Sequence, residues 1–375
     1  MTRIRTTHVG SLPRPENLTR LMYLHQEGHC DDGELSAAVR TAVDDAVAMQ
    51  HRVGIDIASD GEMGKPGFLN YVAERLTGFG GRATPWGIDD LQAAPELLEA
   101  QYGGEAGAHI MPMNCEGDVR YVGTDPLRID LDNLREAADR HAVGGAFVPS
   151  ASPGAIATCF PNLHYPDYGS YLEALADAMA IEYRAVVDAG MILQLDCPDI
   201  PMAGHTGFWC RDEVRRLGLA GFAELHVSAL NRALAGIAPQ RVRLHLCWGN
   251  YEGPHHLDAP LTDLIGPVLA ARASMISFEA ANPRHAHELQ DLETLDIPGD
   301  TVLLPGVVDT LTNIVEHPRL IAERLGRVAR LVGPERVIAS TDCGFGTFVG
   351  FGRVGRQVAE MKLQAIAEGA QLVSV

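Results

Sequence analysis

The chain has 375 residues, 46% of them hydrophobic, which is enough for a large core. Its formal charge of -19, from 49 acids and 30 bases, opposes phosphate backbones, so neither nucleic acid nor an anionic membrane is expected as a partner. No apolar run reaches the roughly 18 residues of a spanning helix. The start Met-Thr-Arg-Ile-Arg has no secretory apolar stretch, and the seven cysteines are scattered and odd in number, so a reduced, cytoplasmic protein is expected.

Short apolar runs alternate with long amphipathic stretches. In chain order the pattern predicts strands over 4–9, 55–59, 146–149, 191–195, 242–247, 275–278, 302–305 and 337–340. Helices are predicted over 32–52, 168–189, 212–235, 284–293, 318–332 and 352–367. Eight strands alternating with helices predict an α/β fold, a single (β/α)8 TIM barrel spanning 1–375, with an open doubly wound sheet as the alternative. The Gly- and Pro-rich stretch 80–123 breaks the rhythm, with one helical signal over 89–102; it reads as a long excursion after the second strand, of the kind that forms lids.

A barrel places its chemistry where strands end. The unusual polar residues fall there: His8 and Ser11, Asp60 and Glu62, Ser150 and Ser152, Asp196 and Asp199, His245 and Cys247, Glu279, Asp309, then Asp342 with Cys343. In Arg-Leu-His-Leu-Cys-Trp, residues two apart on a strand face one side, so His245 and Cys247 project together. With Glu279 and Cys343 they make a His, Cys, Glu, Cys set suited to Zn2+. In isolation each has a plainer role: a strand histidine is ordinarily a bonded core residue, a lone cysteine a small buried hydrophobe. Two thiolates, a carboxylate and a neutral imidazole around Zn2+ leave the centre anionic, a poor carbonyl activator but one that keeps a bound thiol ionised and nucleophilic.

Several stretches are similar to a known family. Thr6-Thr7-His8-Val9-Gly10-Ser11-Leu12-Pro13-Arg14, Asp60-Gly61-Glu62, Gln194-Leu195-Asp196 and Asp342-Cys343-Gly344-Phe345-Gly346 resemble the cobalamin-independent methionine synthase family in its short form, without the extra N-terminal barrel. The resemblance implies a (β/α)8 barrel with zinc on His245, Cys247, Glu279 and Cys343. It further implies that Val9, Gly10 and Ser11 hold the carboxylate of the thiol substrate, and Glu62 and Asp196 its ammonium. The wording from His245 to His256, from Phe278 to His285 and from Thr341 to Gly346 looks most like epoxyalkane:coenzyme M transferase and its paralogues, in which a zinc-held thiol opens an epoxide. One departure stands out: in Val308-Asp309-Thr310-Leu311-Thr312, Leu311 occupies the place of the family's proton-donating histidine.

The leading expectation is therefore zinc-dependent alkyl transfer to a small-molecule thiol, most like the epoxide reaction. The alternative is methyl transfer to homocysteine from methyltetrahydrofolate or another donor. A third, of another class, is a non-catalytic barrel that binds a small molecule around structural zinc. Arg14, Lys65 and Arg284 are cations near strand ends that suit a carboxylate or sulfonate. Glu62, Asp196, Asp309 and His255 are the acid–base candidates, and Tyr165, Phe208, Trp209 and Trp248 the candidate walls for the electrophile. The sequence leaves homo-oligomerisation open.

Overall fold

The computed structural model describes residues 3–84, 87–102 and 113–373. Eight parallel strands form the barrel: β1 (Arg5–Thr6), β2 (Ile57–Ala58), β3 (Gly145–Ala151), β4 (Ile192–Asp196), β5 (Val242–His245), β6 (Met275–Phe278), β7 (Val302–Pro305) and β8 (Ile338–Ala339). Strands β2 to β7 pair in sequence order, and β1 pairs with β8 through Arg5–Ile338 and Thr6–Ala339. The circle closes through parallel bridges Leu303–Val337 and Gly306–Ser340 on one side and the 3.1 Å Asp56 N–H to Thr6 carbonyl bond on the other. The predicted strands are all present, and the open sheet is ruled out by this closure.

The barrel is packed inside rather than hollow. At its amino-terminal end Ile57, Phe147, Met275, Leu304 and Ile338 form an apolar plug. Above it lies a polar layer. The Arg243 guanidinium sits 3.7 Å over the Phe147 ring and donates to Gln194 Oε1 (2.6 Å) and to the His8 carbonyl (2.8 Å). The two-residue period of β5 then carries Arg243, His245 and Cys247 upward on one inner face, while Val242, Leu244 and Leu246 join the helix-facing core.

The helices outside the barrel include α1 (Asp32–Arg52), α2 (Thr124–Arg140), α3 (Tyr168–Asp188), α4 (Arg211–Ala233), α5 (Leu261–Leu269), α6 (Glu288–Asp291), α7 (Pro318–Val332) and α8 (Arg356–Gln371), with a further helix over Glu16–Gln26 after β1. Side-chain caps set some starts: Asp31 accepts from Glu34 N–H at α1, and Asp167 from Ser170 N–H at α3. Helices α2 and α5 are absent from the sequence reading. In α2 the apolar stripe is narrow, Leu127, Leu131 and Leu134 among charges; in α5 Pro267 lies within the helix. The helix expected over 284–293 shrinks to one turn plus a 3-10 turn, because Asn282 Oδ1 caps the preceding segment by accepting from Arg284 and His285 N–H. Helix α4 is broken at Gly218, whose φ is 71°.

The excursion after β2 is partly described. Phe79–Gly80 pairs antiparallel with Asn114–Cys115, and the helical signal resolves into a 3-10 turn (Asp89–Ala93) and a short helix (Pro95–Tyr102). Residues 85–86 and 103–112 of it lie outside the described residues. Ile88 bridges Thr206 in the loop after β4, so this part of the excursion lies against the barrel mouth.

Candidate metal centre and substrate cavity

A cavity of about 110 Å³ opens at the carboxyl ends of the strands. Val9, Ser11, Glu62, Asp196, His245, Cys247 and Cys343 all line it, which places seven of the sequence-selected residues at one site.

His245 ends β5, and Cys247 follows it on the same face. The Cys247 and Cys343 sulfurs are 3.6 Å apart. Two thiolates bound at about 2.3 Å in a tetrahedral shell stand about 3.8 Å apart, so this spacing suits one shared ion. One ligand atom each of His245, Cys247 and Cys343 falls within 4.8 Å of the others. Both ring nitrogens of His245 are buried with no partner among the described residues, which is a costly state unless something is bound there. Burial lowers the His245 pKa to about 4, against the pull of Asp196, and so keeps the imidazole neutral as a ligand must be. The Cys343 thiol holds Cys247 below the usual thiol range, and Gly249 N–H donates to the Cys247 sulfur at 3.4 Å. The residues present therefore fit a soft divalent ion.

Glu279 differs from the expectation of an equal fourth ligand. It directly follows β6 and is not part of the compact set of three. Its Oε1 accepts from Trp248 N–H (3.0 Å) and its Oε2 from Asn282 Nδ2 (2.8 Å). Burial, then the neighbouring Cys247, raises its pKa well above the usual carboxylate range. Asp342 supports this corner from behind, accepting from Ala280, Ala281 and Asn282 N–H groups at 2.7 to 2.8 Å.

Glu62 sits in a tight turn with φ of 57°, a left-handed conformation that a glutamate adopts only when its surroundings enforce it. Gly10 makes room for it: a Cβ there would lie 2.8 Å from Glu62 Oε1 and 2.7 Å from Pro149 Cγ. Glu62 Oε2 is buried and unpartnered among the described residues, and burial raises the Glu62 pKa against the nearby Lys65 and Arg14. Asp196, at the end of β4, accepts from Gln194 Nε2 at 2.7 Å; burial lifts its pKa to about 7, opposed by His245.

Other expected residues are elsewhere. Arg14 spends its guanidinium on the carbonyls of Gly346, Glu62 and Lys65, and Lys65 Nζ bonds the Pro149 carbonyl. Arg284 bonds the exposed His256 carbonyl. None of the three lines the cavity. Asp309 Oδ1 caps its own turn through Leu311 N–H, and His255 is held by Asp258 and the Tyr251 carbonyl; neither reaches the cavity. His8 lies beneath it against Gln50, and Ser152 caps the short helix Pro153–Cys159. Of the candidate walls only Phe208 lines the cavity. Trp248 and Trp209 are fixed by indole bonds to the Ala259 and Ala157 carbonyls, and Tyr165 OH accepts from Val119 N–H.

The sequence reading missed the apolar rim: Phe68, Ile88, Met202, Phe348 and the Gly249-Asn250-Tyr251 loop. That loop directly follows Cys247, so its place at the mouth was deducible. The others come from distant loops whose approach depends on barrel closure.

These features define the class: a (β/α)8 barrel with a sulfur-rich, metal-competent cavity at its carboxyl end. A family model described as the catalytic domain of cobalamin-independent synthase matches residues 4–94. The methionine synthase of Thermococcus kodakarensis is 27% identical over 372 residues, covering 98% of this chain and 93% of that protein. That of Pyrococcus furiosus is 28% identical over 343 residues, covering 90% and 85%. In structure, a B12-independent methionine synthase from a Shewanella species, solved with selenomethionine, superposes with a TM-score of 0.74 at 20% identity, over 99% of this chain and 98% of that one. The chain is thus similar to cobalamin-independent methionine synthases, in sequence over nearly its whole length and in fold.

Proposed function

We propose that this chain transfers a methyl group to the sulfur of an amino-acid thiol of the homocysteine kind, with zinc held by His245, Cys247 and Cys343 and with Glu279 at its side. The observation that carries this reading is the charge of the cavity wall. Two carboxylates, Glu62 and Asp196, line it next to the sulfur pair, and no Lys or Arg does among the described residues. The undescribed segment 103–112 contains no Lys or Arg either. A substrate ammonium gains from that wall, whereas a sulfonate tail would be repelled. This favours homocysteine over coenzyme M, and methyl transfer over epoxide opening. The methionine synthase relatives support the same choice.

Bound zinc would keep the substrate thiol ionised at neutral pH. The protein's own groups do the rest. The turn holding Val9 and Ser11 faces the cavity and suits the substrate carboxylate, with the Ser11 hydroxyl available to donate. Asp196 lines the cavity with Glu62 and is placed to share the substrate ammonium, while the proton of the thiol leaves to water. Phe68, Phe208 and Phe348 keep water from the reacting sulfur.

The test offers the zinc-loaded protein isotope-labelled methyl donors with homocysteine, and labelled epoxypropane with coenzyme M. Labelled methionine in the first arm and no product in the second is expected. Alkylated coenzyme M with inert homocysteine overturns the proposal. Glu62→Gln is expected to lower kcat/KM for homocysteine roughly 10–100-fold, the worth of a bond to a charged group. It should leave a thiol without the amino group, such as 3-mercaptopropionate, nearly unaffected; equal losses for both thiols would remove Glu62 from ammonium recognition.

A further inference from the structure

We infer that the loops beside the cavity hold a second divalent cation, bound by Asp90, His205 and Asp258. The three come from separate segments: Asp90 from the excursion, His205 from the loop after β4, and Asp258 from the loop after β5. All are buried, with exposures of 0%, 1% and 6%.

The argument begins with what is left unbonded. Among the described residues, Asp90 Oδ1, Asp258 Oδ1, both nitrogens of His205 and Thr206 Oγ1 are buried without a hydrogen bond, and the one contact between them is that of His205 Nε2 with Asp258 Oδ1. Folded proteins rarely leave several such atoms in one place unless water or an ion satisfies them. The two carboxylates share a pattern. Asp90 Oδ2 accepts from Tyr251 OH and His255 N–H, each at 2.8 Å, while its Oδ1 is bare. Asp258 Oδ2 accepts from His255 Nδ1 and His285 Nε2, each at 2.9 Å, while its Oδ1 is bare and 3.4 Å from His205 Nε2. One oxygen oriented by protein donors and the other left open is how a ligating carboxylate is supported around a metal. Ligand atoms of Asp90, His255 and Asp258 lie within 4.8 Å of one another, so the carboxylates are close enough to share an ion.

Two carboxylate oxygens and one imidazole make a harder ligand set than the thiolate pair, suited to a divalent ion of the Mn2+ kind, while a softer ion fills the thiolate site first. Such an ion would tie the excursion to the barrel: Ile88, two residues before Asp90, lines the cavity, and Asp89 N–H bonds the His205 carbonyl at 2.9 Å.

The test counts ions on the intact protein saturated with Co2+ and dialysed. We expect about two ions per chain in the wild type, with sulfur-to-metal charge-transfer absorbance complete after the first equivalent and only ligand-field bands growing with the second. His205→Ala, which breaks no hydrogen bond of the described structure, should lose about one ion and keep the charge-transfer band. The double variant C247S/C343S should keep about one ion and lose the band. One ion per chain in the wild type, lost entirely in C247S/C343S and unchanged in His205→Ala, would mean that only water fills the pocket and would overturn the inference. The wild-type titration decides the question even should either variant fail to fold.

Discussion

Cys343→Ser should abolish turnover and strip the cavity of its metal while leaving the fold intact. Cys343 is 3.6 Å from Cys247 and lies in a loop anchored by other groups, with Asp342 accepting from three backbone N–H groups and Thr341 Oγ1 donating to the Cys343 carbonyl at 2.7 Å. Serine keeps the volume and those anchors but offers no thiolate. Loss of a supporting hydrogen bond around a metal already costs about 10–100-fold in affinity, so loss of one of two sulfur ligands should exceed 100-fold. Metal content, homocysteine turnover and circular dichroism read the result together. Stoichiometric metal with intact activity in this variant would remove Cys343 from the site.

The largest effect on stability is expected far from the cavity. Glu182 on α3 is buried among Tyr71 OH (2.9 Å), Tyr121 OH (2.8 Å) and Arg75 Nη1 (3.1 Å), and Arg75 also pairs with Asp130. This knot fastens the start of the excursion and α2 to α3. Glu182→Ala leaves a buried guanidinium with one partner, the Tyr121 hydroxyl without its acceptor and the Tyr71 hydroxyl with only the Ala151 N–H, a change that costs about 3–5 kcal/mol. Denaturant unfolding would show it, with metal content unchanged. The pH dependence has a definite sign. Burial alone would raise the Glu182 pKa, but Arg75 and Lys65 outweigh it and lower the value below that of an ordinary glutamate. Its contribution is therefore fully present above the ordinary glutamate range and is lost as pH falls through the native value. The gap between wild type and Glu182→Ala should narrow on acidification. A gap that widens in acid would contradict the ionised reading of Glu182.

Much of the barrel could be read from alternation. Every strand came from a short apolar run, and the two-residue period alone put His245 and Cys247 on one face. Helices were read where an apolar stripe was broad, as in α1 and α7, and missed where charge or proline masked it, as in α2 and α5. Site residues adjacent to strand ends were legible for the same reason that barrels place chemistry there. Cations were not. Arg14 and Arg284 read as anion holders from position alone, yet Arg14 turns its donors toward three carbonyls and Arg284 lies at the surface. Position along a strand fixes which face a residue takes, whereas the direction of a long, flexible side chain depends on carbonyls that only the folded loops bring near. The approach of Asp90, His205 and Asp258 was invisible for a related reason, since they come from three loops whose meeting depends on how the excursion folds back.

The central claim is that the cavity ionises and positions a substrate thiol at a metal held by Cys247, Cys343 and His245. X-ray absorption at the metal edge tests it most directly, on His205→Ala loaded with one zinc per chain, with and without homocysteine. The account predicts about two sulfur neighbours near 2.3 Å before addition and about three after it. An unchanged sulfur count, or none at the start, would contradict it.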